Sequence, residues 1–221
     1  MRFAIIVFPG SNCDHDGYYA LKKIGFDVEF VWHKEKSLKG FDGILIPGGF
    51  SYGDYLRTGA IARFSPIMSA IISAAKEGKI IIGICNGFQI LIEAGLLPGA
   101  LIVNKNIKFI SKNVMLKVNT DNSIFSRKLN KGQELLMPIA HKQGNYIAKK
   151  SILRELEDQD RIIFKYDTKN GNVNPNGSKL DIAGIINKQR NVLGMMPHPE
   201  RASDNILGLN DGSFIFKSIL G

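Results

Sequence analysis

The chain has 221 residues, 44% of them hydrophobic and 22% charged, which is the balance of a globular protein with enough apolar material for a full core. No apolar run approaches the roughly 18 residues that a membrane span needs, and two cysteines make no disulfide framework. The net charge of +9 raises nucleic acid as a partner, but the lysines are scattered, with no basic block and no interleaving of basic and aromatic residues. Composition therefore argues against both nucleic acid and membrane, and leaves the basic surface for solvent or for an acidic partner chain.

The opening MRFAIIVFPG carries one basic residue and a short apolar run without a small-residue cleavage site. It reads as a first strand over 2–8 rather than as a signal peptide. With so few cysteines, the expected compartment is the reducing cytoplasm. PGSNCDHD follows as a loop, with Asn12 or Asp14 available to cap a helix whose apolar stripe is Tyr18, Leu21 and Ile24 and whose end is Gly25. DVEFVW alternates as a strand should, and FDGILIPGG is a short buried strand broken by Pro47, Gly48 and Gly49. Ile67, Ile71, Ala74 and Ala75 lie on a second helix ending at Gly78. KIIIGI is the next strand, and a third helix over 86–94 stops at Gly95, with Pro98 close behind. Strands that are apolar throughout, alternating with helices, predict a parallel sheet covered on both faces.

The later half reads as short strands separated by turn residues: NVMLKVNT, ELLMPIAH, NYIAKK, RIIFKYD and the hairpin DIAGIINKQRNVLGMM, which turns over 188–191. A short helix is expected over 152–156, a Gly/Asn-rich loop over 168–180, and a last helix capped by Asp211 or Ser213. With no repeat, linker or low-complexity tract, the expected organisation is one domain over 1–221. The fold class is α/β: an open, mostly parallel sheet covered by helices, with additional short antiparallel strands.

The strand before Cys85 stops in Gly83-Ile84-Cys85-Asn86-Gly87 and a helix follows. Strand, Gly-x-Cys-x-Gly, helix is the pattern of a nucleophile elbow with sulfur in place of the serine oxygen. Such a turn lifts the side chain out at the carboxyl end of the sheet. It also sets the sulfur at a helix N-terminus, where free backbone N–H groups and the helix dipole favour an anion. The N–H of Asn86 can then face the oxygen of an acyl group on sulfur. A cysteine nucleophile needs a base and a group that orients it. His198 stands in Pro197-His198-Pro199-Glu200, and in an extended segment Glu200 points the same way as His198 and can hold its ring. Gly48-Gly49 lets backbone N–H groups approach a ligand and supplies a second oxyanion donor. Gln89, one helical turn past Cys85, either reads a polar substrate group or is an exposed helix residue. Cys13 has no elbow around it and no helix start at the thiol, so it reads as a packed or loop cysteine.

GICNGFQIL together with PHPE resembles the class I (triad) glutamine amidotransferases. VFPGSNCD, PGGFSYGDYLRTGAIA, MPIAH, NPNGS followed by IAGI, GMMPHPER and DGSFIFKSI extend the resemblance, in order, over nearly the whole chain, toward the branch of that family that serves purine biosynthesis. The resemblance implies a catalytic set of Cys85, His198 and Glu200, an oxyanion loop at Gly48 and Gly49, and glutamine as substrate. It further implies that the ammonia released goes to a large ATP-dependent synthetase subunit, accompanied by a small accessory subunit, that turns formylglycinamide ribonucleotide into its amidine. No phosphate-binding Gly-x4-Gly-Lys-Ser/Thr loop occurs in the chain, so ATP and Mg2+ are expected on that partner, with no cofactor and no metal here. One departure is visible. After PIAH the family pattern is Gly-Glu-Gly, and this chain has Lys142-Gln143-Gly144, which bears on what that loop touches. Two other readings stay open: a free-standing cysteine hydrolase of the same elbow-containing α/β class, and a non-catalytic binding subunit. An α/β-hydrolase carries its acid between nucleophile and histidine, whereas here the acid follows the histidine.

Overall fold

The computed structural model describes residues 1–169 and 171–220; Asn170, inside the Gly/Asn-rich loop expected from the sequence, and Gly221 lie outside the described residues. In chain order the elements are β1 (Arg2–Val7), α1 (Asp14–Ile24), β2 (Asp27–Trp32), β3 (Gly43–Ile46), α2 (Ile67–Lys76), β4 (Ile80–Ile84), α3 (Asn86–Glu93), β5 (Ala100–Ile102), β6 (Ile110–Val118), β7 (Glu134–His141), β8 (Asn145–Ile147), α4 (Lys150–Asp158), β9 (Ile162–Tyr166), β10 (Ile182–Ile186), β11 (Val192–Met195) and α5 (Ser213–Leu220). Nine of the strands form one sheet in the order β2-β1-β3-β4-β11-β10-β9-β6-β7, and β5 pairs with β8 in a small antiparallel sheet of its own.

The sheet changes character at β11. From β2 to β11 the neighbours are parallel, with α1 crossing from β1 to β2 and α2 from β3 to β4. From β11 to β7 they are antiparallel, beginning with the β10–β11 hairpin. The Ile-rich strands explain the parallel part. Ile5, Ile6, Ile44, Ile46, Ile81 and Ile82 are fully buried, as β-branched residues covered on both faces should be. At the far edge, β7 carries Pro138 opposite Asn113 of β6. A proline fits there because an edge strand has no second neighbour waiting for its missing N–H.

Helix starts differ from expectation in two places. Cys13, not Asn12 or Asp14, is the residue capping α1, and its side chain makes no capping bond. The Asp14 carboxylate accepts instead from the N–H of His15. Gly25 ends α1 in a left-handed conformation, φ 105°, as the sequence predicts. At α5 the Asp211 carboxylate accepts from the N–H of Leu136 at 2.7 Å, so it ties the helix start to β7 and not to the helix's own backbone. Within the Gly/Asn-rich loop Val173 is exposed, but Asn176 is fully buried and donates to the Gly144 carbonyl and the Tyr166 hydroxyl.

The closest backbone approach that concerns the site is at Gly87. A methyl group there would collide with the Ile46 carbonyl of β3, so α3 can lie against the sheet only through a bare glycine. Gly87→Ala should therefore lower the unfolding free energy by about 1–3 kcal/mol, read from urea denaturation. An unchanged denaturation midpoint would mean that the helix is not pinned at this point.

Candidate active site

Cys85 is the residue between β4 and α3, at φ 50° and ψ −103°. A non-glycine side chain in that conformation is strained by about 1–3 kcal/mol and persists only where its surroundings dictate it. Here the Cys85 N–H donates to the Met195 carbonyl of β11 at 2.7 Å, and the Gln89 N–H donates back to the Cys85 carbonyl. A Cβ at Gly83 would lie 2.7 Å from the Gly87 carbonyl oxygen, so both glycines of the motif are required by the tightness of the turn. The thiol is 5% exposed and lies 3.7 Å from the Ala140 carbonyl of β7.

The register of the sheet brings the histidine alongside. β4 and β11 are parallel neighbours with Ile84 opposite Met195, so the residues that follow each strand emerge together at the carboxyl edge. Three residues past β11, the His198 N–H donates to the Pro138 carbonyl at 2.9 Å. His198 Nδ1 and Glu200 Oε1 are 2.6 Å apart, with both residues buried. Pro-x-Pro in the sequence predicts an extended segment for this pair. In fact Pro199–Ala202 is a 3-10 turn, and it is that turn that brings the carboxylate back to the ring. Burial works against a charged imidazole, but the Glu200 carboxylate and, after it, the Cys85 sulfur outweigh burial and hold the His198 pKa well above its ordinary value. Nε2 of His198 is buried with no hydrogen-bond partner among the described residues.

Gly48 marks the point of convergence. A Cβ placed on it would sit 2.8 Å from His198 Cε1, 3.2 Å from Cys13 Sγ and 3.4 Å from Cys85 Cβ. Gly49 follows at φ 127°. The structure thus gathers Cys85, His198, Glu200, Gly48 and Gly49 at one edge of the sheet. It also brings Asn86 and Gln89 there, in a different posture from the one expected. Asn86 accepts from the Ser51 N–H and donates to Gln89 Oε1. Gln89 is buried, not exposed, and its Nε2 donates to the Gln143 carbonyl at 2.6 Å. The Gln89 amide is a clamp between α3 and the β7–β8 turn, with at most one N–H left for a ligand.

Two cavities meet at this point. One, of about 240 Å³, is lined by Cys85, Gln89, Asp54, Thr58, His141 and Gln143 among others. The other, of about 210 Å³, opens on Cys13, His198, Arg201 and Asn12. A larger cavity, of about 610 Å³, lies elsewhere, lined by Ala75, Leu97, Glu155 and Arg161, and reaches none of the groups around Cys85. His141, overlooked in the sequence, is buried in the wall of the first cavity; burial, with His198 next, lowers its pKa to about 4 and keeps it neutral. Its Nδ1 faces Asn104 Oδ1 at 3.1 Å, while the Asn104 amide donates to the Lys108 and His141 carbonyls, which makes Nδ1 the protonated nitrogen. Gln143, the residue that departs from the family pattern, also lies in this wall and accepts from the Thr58 hydroxyl.

Cys13 is closer to the chemistry than its sequence context indicates. It directly precedes the first residue of α1, contrary to the reading that no helix starts at this thiol. It is buried beside His198, and the Arg201 guanidinium lies 3.1 Å from its sulfur. Burial raises the Cys13 pKa in spite of His198 and Arg201, so the sulfur is held as a thiol. The ligand atoms of Cys13, His198 and Glu200 all lie within 4.8 Å of one another. Two facts make this a poor metal site: Glu200 already engages the ring nitrogen, and the Arg201 cation occupies the approach to the sulfur.

A family profile described as the CobB/CobQ-like glutamine amidotransferase domain matches residues 1–208. Phosphoribosylformylglycinamidine synthase subunit PurQ of Koribacter versatilis is 54% identical over all of this chain and 98% of its own length. A chain in the structure of PurLQS from Thermotoga maritima superposes with a TM-score of 0.90 at 44% identity, covering 99% of this chain and 97% of that one. The glutaminase domain of Trypanosoma brucei CTPS, solved with bound acivicin, shares the fold at a TM-score of 0.62 and 15% identity over 100% of this chain and 92% of its own. Among the described residues, no helix is long and apolar enough to cross a membrane. The profile match over most of the chain and the full-length likeness show that the chain belongs to the CobB/CobQ-like glutamine amidotransferase family.

Proposed function

We propose that this chain is the glutaminase subunit of a phosphoribosylformylglycinamidine synthase. It hydrolyses glutamine to glutamate and ammonia and hands the ammonia to a large ATP-dependent synthetase subunit, with a small accessory subunit, in cytoplasmic purine biosynthesis. That synthetase uses the ammonia to turn formylglycinamide ribonucleotide into its amidine, and ATP and Mg2+ belong to it. The observation that carries the reading is the meeting of Cys85, His198 and Glu200 beside a cavity of about 240 Å³ that the thiol enters. Full-length identity of 54% to a protein named as the PurQ subunit of a phosphoribosylformylglycinamidine synthase supports this substrate and partner.

The chemistry assigns each group a task. The Cys85 thiolate attacks the side-chain amide carbon of glutamine, and the amide oxygen becomes an oxyanion between the backbone N–H groups of Gly49 and Asn86. His198, held protonated by Glu200, gives a proton from Nε2 to the departing nitrogen, so ammonia leaves and a thioester remains. The ring, now neutral, takes a proton from water. The resulting hydroxide attacks the thioester, which releases glutamate and returns the thiolate. Nε2 is the only ring nitrogen available for this shuttle, because Nδ1 is engaged by Glu200.

In the assembled complex, Cys85→Ala should abolish glutamine-dependent synthesis and leave ammonia-dependent synthesis near normal. Glutamine-dependent turnover that survives the change would remove Cys85 as nucleophile, and joint loss of both activities would place the defect in assembly. Glu200→Gln keeps the shape of the pair but removes its charge, so glutaminase turnover should fall by roughly 10³–10⁴-fold, as when the orienting acid of a serine triad is lost. The pKa of His198, followed by NMR, should drop in the same variant, because burial is then opposed by the cysteine sulfurs alone. The sign for stability follows from linkage. A ring whose folded pKa lies above the ordinary value of about 6.5 stabilises the fold fully below that value and loses the effect as pH rises through the folded pKa. The stability deficit of Glu200→Gln should therefore be widest at about pH 6 and narrow as pH rises. A deficit that grows with pH would mean that Glu200 does not hold the proton on the ring.

A further inference from the structure

One polar group in the Cys85 cavity has no task in the reaction above. Asp54 closes the 3-10 turn Ser51–Asp54 and lines the cavity that holds Cys85. Its Oδ1 is buried and has no hydrogen-bond partner among the described residues. A buried carboxylate oxygen left unpaired is unfavourable unless something arrives to pair it. Burial alone raises the Asp54 pKa to about 6, so at slightly alkaline pH the wall still presents an anion.

The loop is built to hold that side chain in place. Tyr52, Gly53 and Asp54 are all left-handed, at φ 54°, 65° and 56°. Two of these are non-glycine residues in a region they rarely adopt, and such strain clusters where a fold must aim a group. The strain is offset by ties on every side. The Tyr52 hydroxyl lies 2.8 Å from both His33 Nδ1 and Ser65 Oγ, the Tyr52 N–H donates to the Pro9 carbonyl, and the Ser51 N–H donates to Asn86 beside the elbow. The rest of the cavity wall has no second carboxylate. Position 143 is an amide, and His141 is neutral. Lys142 lines the same cavity but makes no ion pair with Asp54 among the described residues.

Glutamine has a neutral amide at one end and, at the other, an α-ammonium with three N–H donors. A lone unpaired carboxylate suits the second. We infer that Asp54 receives the α-ammonium group of glutamine and so fixes the side-chain amide against Cys85; this rests on the glutaminase reading given above. It makes Asp54 the residue that distinguishes an amino acid from a simple carboxylic acid amide. A site built around a charged hydrogen bond strongly rejects an analogue that lacks the donor, because the buried acceptor is then left unpaired.

The test compares two amides in the assembled complex by their ammonia release. One is glutamine, and the other is 4-carbamoylbutanoate, which has the same amide but hydrogen in place of the α-amino group. Wild type should strongly prefer glutamine. Asp54→Asn should raise KM for glutamine about tenfold or more, with a smaller change in kcat, and the preference for glutamine should shrink by a similar factor. Asp54→Glu should keep part of the preference. Ammonia-dependent synthesis in the same preparations reports that the complex is intact. An unchanged KM for glutamine would overturn the assignment, as would equal losses for both amides with the preference unaltered, since Asp54 would then only support the loop. Failure of the wild-type complex to release ammonia from glutamine would instead overturn the glutaminase reading, and this assignment with it.

Discussion

Everything at the site depends on the strained backbone of Cys85. At φ 50° and ψ −103° the residue would relax if the chain on either side were free. It is not free. Before it, β4 is locked between β3 and β11 by parallel ladders. After it, α3 is pressed so close to β3 that only a glycine fits at position 87. The turn must therefore be completed in one residue, and that residue's side chain is pushed out at the edge of the sheet. Sulfur position, helix N-terminus and the nearby N–H of Asn86 all follow from that single constraint. Close packing of Ile-rich strands thus becomes chemical geometry, because a core at near-crystalline density does not let the elbow unwind.

The second constraint is electrostatic. His198 and Glu200 are both buried, and burial by itself works against a charge on the ring. At 2.6 Å the carboxylate compensates the ring, and the ring compensates the carboxylate. The same neighbourhood separates two cysteines that both lie near His198. Cys13 precedes a helix as Cys85 does, and it has a guanidinium at its sulfur. It nevertheless remains a thiol, because burial dominates. Cys13 also opens into a different cavity from the one entered by the Cys85 thiol. The two cysteines are distinguished by which cavity each one lines, more than by which helix follows.

Much of this was legible in the sequence, and the reasons can be named. The parallel half reads well because buried β-branched runs, glycine helix stops and crossover lengths are local signals. The elbow reads well because Gly-x-Cys-x-Gly after such a run has few other uses. The pairing of His198 with Glu200 was legible, but its geometry was not, since Pro-x-Pro suggests extension and the chain makes a turn. β5 was missed, being three residues that pair only with the equally short β8. Gln89 could not be placed from spacing alone. Helical periodicity gives its face, while its partners, Asn86 and the Gln143 carbonyl, come from another part of the chain. Asp54 had only a weak signal, as a single acid in a loop rich in glycine and tyrosine. Gln143 showed only as a departure from the family pattern and His141 gave no sign of a role, because which residues at the end of β7 line the cavity is decided by long-range strand register.

That register explains why the chain needs its antiparallel half at all. Cys85 and the glycine loop come from the parallel strands, and a parallel sheet by itself would leave them facing open solvent. β7 stands at the opposite edge of the sheet, yet its end folds over the site. The Pro138 carbonyl holds the backbone of His198, the Ala140 carbonyl faces the Cys85 sulfur, and Gln143 takes the Gln89 amide. The first two contacts use carbonyls that the edge strand has free because no further strand pairs with it, and Gln143 follows in the β7–β8 turn. An exposed edge would ordinarily invite pairing with another chain. Here its unpaired carbonyls are turned inward onto the histidine and the thiol. The edge that would otherwise be a liability becomes the outer wall of the reaction chamber.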